Sequence, residues 1–183
     1  MAHKMMDDIC AHITDIAANA ISAEAKKVFV FLEKSIINNR LYLKVSDNGK
    51  GMDEETVKRV IDPFFSTKTG RKVGLGIPLL KGTAETCGGY FNIKSNPGKG
   101  TEIEASFQLD HPDLPPIGRL KDTILILTVS NPEADFLFNI KNDVVNFIFD
   151  TEEIKGLLDG MPINSPEVIK FLTNYLDEHL KFI

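Results

Sequence analysis

The sequence predicts an α+β fold, a two-layer α/β sandwich in which helices cover a sheet, followed by a C-terminal α/β extension. Three observations carry that prediction. Apolar residues recur at helical spacing near both ends of the chain, over 5–23 and 167–183. Between them lie apolar and β-branched runs such as "KKVFVFLEK" and "RLYLKVSD", which read as strands. Those runs are joined by hairpin turns, so the strands read as antiparallel and the whole as two packed layers.

The first helix is predicted over 5–23. At about 100° per residue, Ile9, Ile13, Ile16 and Ala20 share one face, and Asp8, His12, Asp15, Asn19 and Ser22 share the opposite one. That polar stripe uses short side chains that favour caps and turns rather than the Lys, Glu and Gln of an ordinary solvated face. Two strands follow, 26–34 and 40–47, with "SIINN" as their turn. Asp53 is placed to cap a helix running to Ile61. "DPFFSTKTGRK" has no period and reads as a loop. "VGLGIPLLKGTAETCGG" reads as a helix opened by glycines and stopped by Gly88-Gly89. "YFNIKS" and "TEIEASFQL" are predicted strands around the turn "NPGKG". The proline-rich 110–120 segment is the candidate junction between a first part, 1–109, and an extension, 110–183. Beyond it, "DTILILTVS", "DFLFNIK" and "VVNFIFD" read as three more strands. A last helix is signalled by Ser165 as cap and Pro166 in the first turn. Its stripe of Val168, Phe171, Leu172, Tyr175 and Leu176 suits either the core or a partner-binding face.

Composition narrows the function classes. The 183 residues carry a net charge of −5, which argues against a nucleic-acid or membrane-surface partner. No apolar run reaches the roughly 20 residues that a membrane span needs. Two cysteines, Cys10 and Cys87, and no secretory signal imply a reducing, cytoplasmic setting, with both thiols as packing groups. His3 reads as part of a frayed start and His12, His111 and His179 as surface residues, and no Cys/His spacing suggests zinc.

Chemistry concentrates in a few pieces. "VSDNGKGMD" leaves a strand with Asp47 at its tip and no side chains at Gly49 and Gly51, which suits either a tight corner or a flat ligand whose edge the acid holds. Gly74 and Gly76 open a helix, where unpaired N–H groups and a partial positive charge attract anions. A dinucleotide fingerprint fails at Leu79, and "GKGT" lacks the earlier glycine of a P-loop. A nucleotide held here would be held by some other architecture.

Taken in order, the pieces resemble the ATP-binding domain of the GHKL superfamily, which includes DNA gyrase, the large heat-shock chaperone, sensor histidine kinases and the MutL mismatch-repair protein. "DIAANAISA" resembles the family's N-box, "DNGKGM" its first glycine box, "PFFSTK" the phenylalanine box, "VGLGI" the second glycine box and "GKGT" the third. The match covers roughly 5–109 and implies the Bergerat-type ATP-binding fold, with ATP and Mg²⁺ as cofactors. Asp47 would accept from the adenine amino group. Gly49 and Gly51 would leave room for the base beside Met52, and Thr101 would help fix it. Asn19 would offer its amide oxygen to Mg²⁺. Gly74, Leu75, Gly76 and Ile77 would present N–H groups to the phosphates, and Lys68 would neutralise their charge or remain solvated. Phe65, with Phe64, would anchor either the core or the lid. Asp15, one turn before Asn19, stands where hydrolysing members commonly carry Glu; it would polarise a water or help hold the hydrated ion.

The resemblance also sets expectations for the whole. "TGRK" leaves a short lid, as in compact sensor kinases. Too little chain precedes His12 for a phosphoacceptor hairpin, so the reading is of a stand-alone member, similar to small ATP-binding proteins of anaerobic bacteria. The expected activity is Mg-dependent phosphotransfer or slow ATP hydrolysis in regulating a protein partner of unknown identity. The alternative is a non-catalytic, nucleotide-gated binding module. A homodimer is compatible with either.

Overall fold

A computed structural model describes residues 7–62 and 75–183 of the chain. The helix predicted over 5–23 is α1 (Ile9–Ser22). Its start is set by Asp8, whose Oδ1 accepts from the Ala11 N–H at 2.7 Å. Then come β1 (Lys27–Ser35), β2 (Arg40–Asp47), α2 (Glu54–Val60), α3 (Gly76–Thr86), β3 (Phe91–Asn96) and β4 (Gly100–Gln108). The remainder forms α4 (Leu120–Ser130), β5 (Asp135–Asn142), β6 (Asn146–Asp150), α5 (Thr151–Leu157) and α6 (Pro166–His179). Asp53 caps α2 as its sequence position implies, accepting from the Thr56 N–H at 2.7 Å.

The strands form one six-stranded sheet in the order β3-β4-β2-β1-β5-β6. Register aligns alternate residues into one apolar face. Val30 lies between Val45 and Phe138, Leu32 between Leu43 and Ile140, and Leu43 pairs across with Ala105. The helices bury that face, with α1 against β1 and β2, α3 against β3 and β4, and α4 against β5 and α6. Phe107, Phe136, Phe138 and Phe149 are its largest fully buried side chains. The result is the two-layer α+β architecture that the sequence predicts.

Four expectations are corrected. "DTILILTVS" is not a strand: it is most of helix α4, whose buried residues Leu120, Thr123, Ile124, Leu127 and Thr128 follow helical spacing. With a helix as the connection, β5 returns parallel to β1, so the sheet is mixed rather than wholly antiparallel. His12 is not a surface residue but 1% exposed. Both α3 and α4 pack against α1, and His12 lies beside the Gly76 backbone at the start of α3. Ser165 does precede α6, with Pro166 in the first turn, but its hydroxyl makes no cap bond and is buried without a partner among the described residues. Of the predicted α6 stripe, Val168, Leu172 and Leu176 enter the core, while Phe171 stays 61% exposed. Cys10 and Cys87 are buried and unpaired, as packing groups should be.

Candidate functional site

The end of β2 is built by close backbone approach. Asp47 turns its carboxylate onto the following loop, where Oδ1 accepts from the Gly49 N–H at 2.7 Å. Burial pushes its pKa up, and backbone N–H groups of Gly49 and Thr101 pull partly the other way. The glycines serve the protein's own packing. A Cβ on Gly51, at φ +64°, would lie 1.9 Å from the Asn96 carbonyl oxygen, and one on Gly49 would meet the Ala23 carbonyl at 2.8 Å. So the side chains missing there make room for neighbouring backbone.

Two residues that motif reasoning passed over hold this end together. Ser95 Oγ accepts from the Met52 N–H at 2.8 Å and stands 2.9 Å from Thr101 Oγ1, so one hydroxyl links the first glycine loop to the third. Asn48 Oδ1 accepts from the N–H groups of Lys26 and Lys27, at 2.8 and 2.9 Å, and pins the loop to the start of β1. Asn48 was visible only as a turn residue, and Ser95 only as a strand residue. The backbone groups that each one pins, Lys26 and Lys27 for Asn48 and Met52 for Ser95, are more than twenty and more than forty residues away, so neither role has a local sequence signal.

The polar stripe of α1 runs up to the same place. Asn19 is exposed and donates from Nδ2 to Asp15 Oδ2 at 3.2 Å, which leaves its amide oxygen as an acceptor. One turn on, the Ala23 carbonyl accepts from the Lys50 N–H at 2.9 Å, so the loop carrying Gly49 and Gly51 rests on the C-terminal end of α1. At the other end of the same helix, His12 lies against the backbone of Gly76, the first residue of α3. Leu75, at the cap position of α3, provides no side-chain cap. Pro78 has no N–H to offer, which leaves Gly76 and Ile77 as the open donors of that first turn.

Helix α1 thus acts as a ruler. The loop after Asp47 marks one end at Ala23, the α3 opening marks the other at His12, and Asn19 and Asp15 lie between. The span is about 16 Å at 1.5 Å per residue. Two clefts, of about 380 and 240 Å³, adjoin Asp47 on the sheet's uncovered side, lined by Lys27, Phe29 and Glu152 and by Lys94, Ser95 and Thr101. Neither reaches Asn19 or the α3 opening. Of the predicted site residues, Asp15, Asn19, Asp47, Gly49, Gly51, Met52, Leu75, Gly76, Ile77 and Thr101 border α1 or the loops that touch it. Phe65, Lys68 and Gly74 fall outside the described residues, as do His3 and Phe64.

Comparison with known proteins shows the family and the fold. The family model described as histidine kinase-, DNA gyrase B- and HSP90-like ATPase matches residues 7–111. A sensor protein of Shewanella frigidimarina is 31% identical over 111 residues, covering 60% of this chain and 17% of that protein. Sensor histidine kinase YxdK of Bacillus subtilis is 31% identical over 104 residues, 52% of this chain and 31% of the kinase. The chain therefore spans less than a third of these relatives. Among solved structures, the Aquifex aeolicus MutL ATPase domain complexed with ADP aligns over 85% of this chain and 70% of its own, at 14% identity and a TM-score of 0.53. The N-terminal domain of a DNA repair protein aligns over 78% and 51%, at 12% identity and a TM-score of 0.52.

Proposed function

Because the chain belongs to the histidine kinase-, DNA gyrase B- and HSP90-like ATPase family, we propose that it binds ATP with Mg²⁺ along α1 and transfers or slowly releases the γ-phosphoryl group in the control of a protein partner. The observation that carries this reading is the order of groups along α1: a hydrogen-bonding acid with packed glycine loops at one end, an amide and a carboxylate in the middle, and an open helix N-terminus at the other. An adenine edge suits the first, a hydrated cation the second and a phosphate chain the third.

The residues present fit the ion. Asn19 supplies a hard oxygen at an exposed helix edge, and Asp15 adds a carboxylate one turn away. Among the described residues no group of three or more His, Cys, Asp or Glu could cage a metal by itself. A bound Mg²⁺ would therefore take most of its shell from phosphate and water, and it would supply charge neutralisation on the phosphates. In this reading Asp47 accepts the adenine amino hydrogen, Thr101 and Ser95 hold that end in shape, and Gly76 and Ile77 donate to phosphate oxygens. Asp15 orients the attacking hydroxyl or water, or holds the water around the ion.

Labelled ATP incubated with the pure protein, alone and with cell extract, tests the proposal. Label on a second protein supports phosphotransfer, and free phosphate supports hydrolysis. Binding without turnover supports the second reading, a nucleotide-gated binding module, which the shorter Asp15 in place of Glu favours. Absence of ATP binding overturns both.

A further inference from the structure

Among the described residues, His12 is a buried polar group beside the site that has no role in the proposed function. It is 1% exposed, yet neither Nδ1 nor Nε2 has a hydrogen-bond partner among the described residues. Buried imidazole nitrogens left unpaired lose their hydration without compensation, so the position is an unfavourable one for a histidine with no use. The neighbouring core positions Ile9, Ile13 and Ile16 carry aliphatic side chains, which offer its ring nitrogens no polar partner. Its ring lies against the backbone of Gly76, at the uncapped N-terminus of α3.

Two forces keep the ring neutral while that helix mouth is free of anions. Burial disfavours the charged form. The positive end of the α3 dipole opposes it as well. Two features already favour the charged form: the Asp8 carboxylate one turn before it on α1, and the Gly76 backbone. Among the described residues, the other charged groups of α1, α3 and α4 near it have partners of their own, Asp15 accepting from Asn19 at 3.2 Å. On α4, Asp122 acts on Cys10 and pairs with Arg119 at 3.1 Å. On α3, Lys81 and Glu85 pair with each other at 3.8 Å. The core-facing residues of β1 and β2 beneath α1 are Val28, Val30, Leu32, Leu41, Leu43 and Val45, all apolar. An anion placed on the Gly76 and Ile77 N–H groups would cancel the dipole's opposition and leave Asp8 and Gly76 to stabilise the imidazolium.

We propose that His12 is a positioning residue that takes up one proton from solvent when a phosphate chain settles on the first turn of α3, and that the resulting imidazolium holds that turn in its binding geometry through the Gly76 backbone. The inference rests on the nucleotide site proposed above and adds to it a charge that arrives only with the ligand. It makes anion binding proton-linked: between the free and bound titration points of His12, affinity falls as pH rises, by up to tenfold per unit for one proton.

Calorimetry on the full chain, titrating ADP with Mg²⁺ at pH 7.5 in two buffers of unlike ionisation heat, counts the protons taken up. The expected result is uptake approaching one proton for ADP and none for adenosine, which lacks the anion. In His12→Asn, still folded by circular dichroism, ADP uptake should vanish and its affinity should become flat with pH. Imidazole C–H signals of the unaltered protein give a check that needs no variant, since one of the four histidines should move to its protonated position with ADP and not with adenosine. Binding of ADP with no uptake, with equal uptake in His12→Asn, or with no histidine signal moving overturns the role of His12 and leaves the site standing. Failure of both ADP and adenosine to bind overturns the site and the inference together.

Discussion

Asp47 shows how one residue can be costly to the fold and necessary to the site. Burial raises its carboxyl pKa. For a group raised in this way, the favourable contribution is present below the unfolded pKa and is lost as pH climbs through the folded one, so at neutral pH the ionised side chain works against stability. Asp47→Asn removes that charge and keeps an acceptor for the Gly49 N–H. The expected outcome is a melting temperature at or above that of the unaltered protein at pH 7, with ATP affinity down by about 10- to 100-fold, the worth of a charged hydrogen bond. Thermal melting and calorimetry on the same sample would show it, and a parallel loss of both would mean that Asp47 is purely structural. Asp15 separates differently. If it orients the attacking group, Asp15→Asn should cut turnover by about 10²- to 10⁴-fold with affinity little changed; if it holds water around the ion, affinity for Mg-ATP should fall first. These two acids stand out in the sequence because each has a fixed place in a short motif. Ser95 and Asn48 stayed hidden because the loop and strand ends that they pin, at Met52 and at Lys26 and Lys27, are distant in the chain.

At the level of elements, the third glycine turn and α4 show what local patterns convey. Gly98 and Gly100 both have positive φ, +74° and +85°. A Cβ on Gly98 meets nothing within 4 Å, whereas one on Gly100 would fall 1.9 Å from the Asp47 carbonyl oxygen. Gly98→Ala should therefore cost only the left-handed strain, about 1–2 kcal/mol, and keep nucleotide binding. Gly100→Ala should displace the end of β2 and lose both; urea unfolding with a binding assay would compare the pair. "GKGT" marked the turn, but only coordinates reveal which glycine is irreplaceable. In α4 the error lay in weighing residue type above spacing. Thr123, Ile124, Ile126, Thr128 and Val129 look like a strand by β-branching, yet the buried set at 120, 123, 124, 127 and 128 has helical spacing once the count starts at Leu120. A strand would put Ile124 and Ile126 on one face. The helix buries Ile124 fully and leaves Ile126 58% exposed, so Ile124→Ala should cost about 2–5 kcal/mol and Ile126→Ala no more than about 0.5. Equal losses in chemical denaturation would restore the strand.

At the scale of the whole molecule, the chain beyond the matched 7–111 region is joined to it by more than a linker. Strand β5 pairs with β1 over its full length, from Lys27↔Asp135 to Lys34↔Asn142, and places Phe136, Phe138 and Ile140 in the same apolar layer as Val28, Val30 and Leu32. The far end is tied again. Asp143 accepts from Ser35 Oγ at 2.6 Å and from the Ile36 N–H at 2.7 Å, joining the β1–β2 turn to the β5–β6 turn. The Ser35 hydrogen bond holds the Asp143 pKa down, so this tie is present above the unfolded pKa and loosens as pH falls through the folded one. The motifs announced the first part of the sheet because its turns and glycines carry signals. They could not announce β5 beside β1, since that pairing joins residues over a hundred positions apart. Its consequence is measurable. A chain cut after residue 111 would strip the core of Phe136, Phe138, Ile140 and the other buried apolar residues beyond it, and expose β1 as a long apolar edge, the kind that recruits other strands. We expect the full chain to unfold in a single transition, with fluorescence and circular dichroism midpoints coinciding, and the shortened chain to be recovered aggregated. Two separated transitions in the full chain, or a soluble shortened chain that still binds ATP, would show instead that the C-terminal strands are an addition that the nucleotide-binding part can do without.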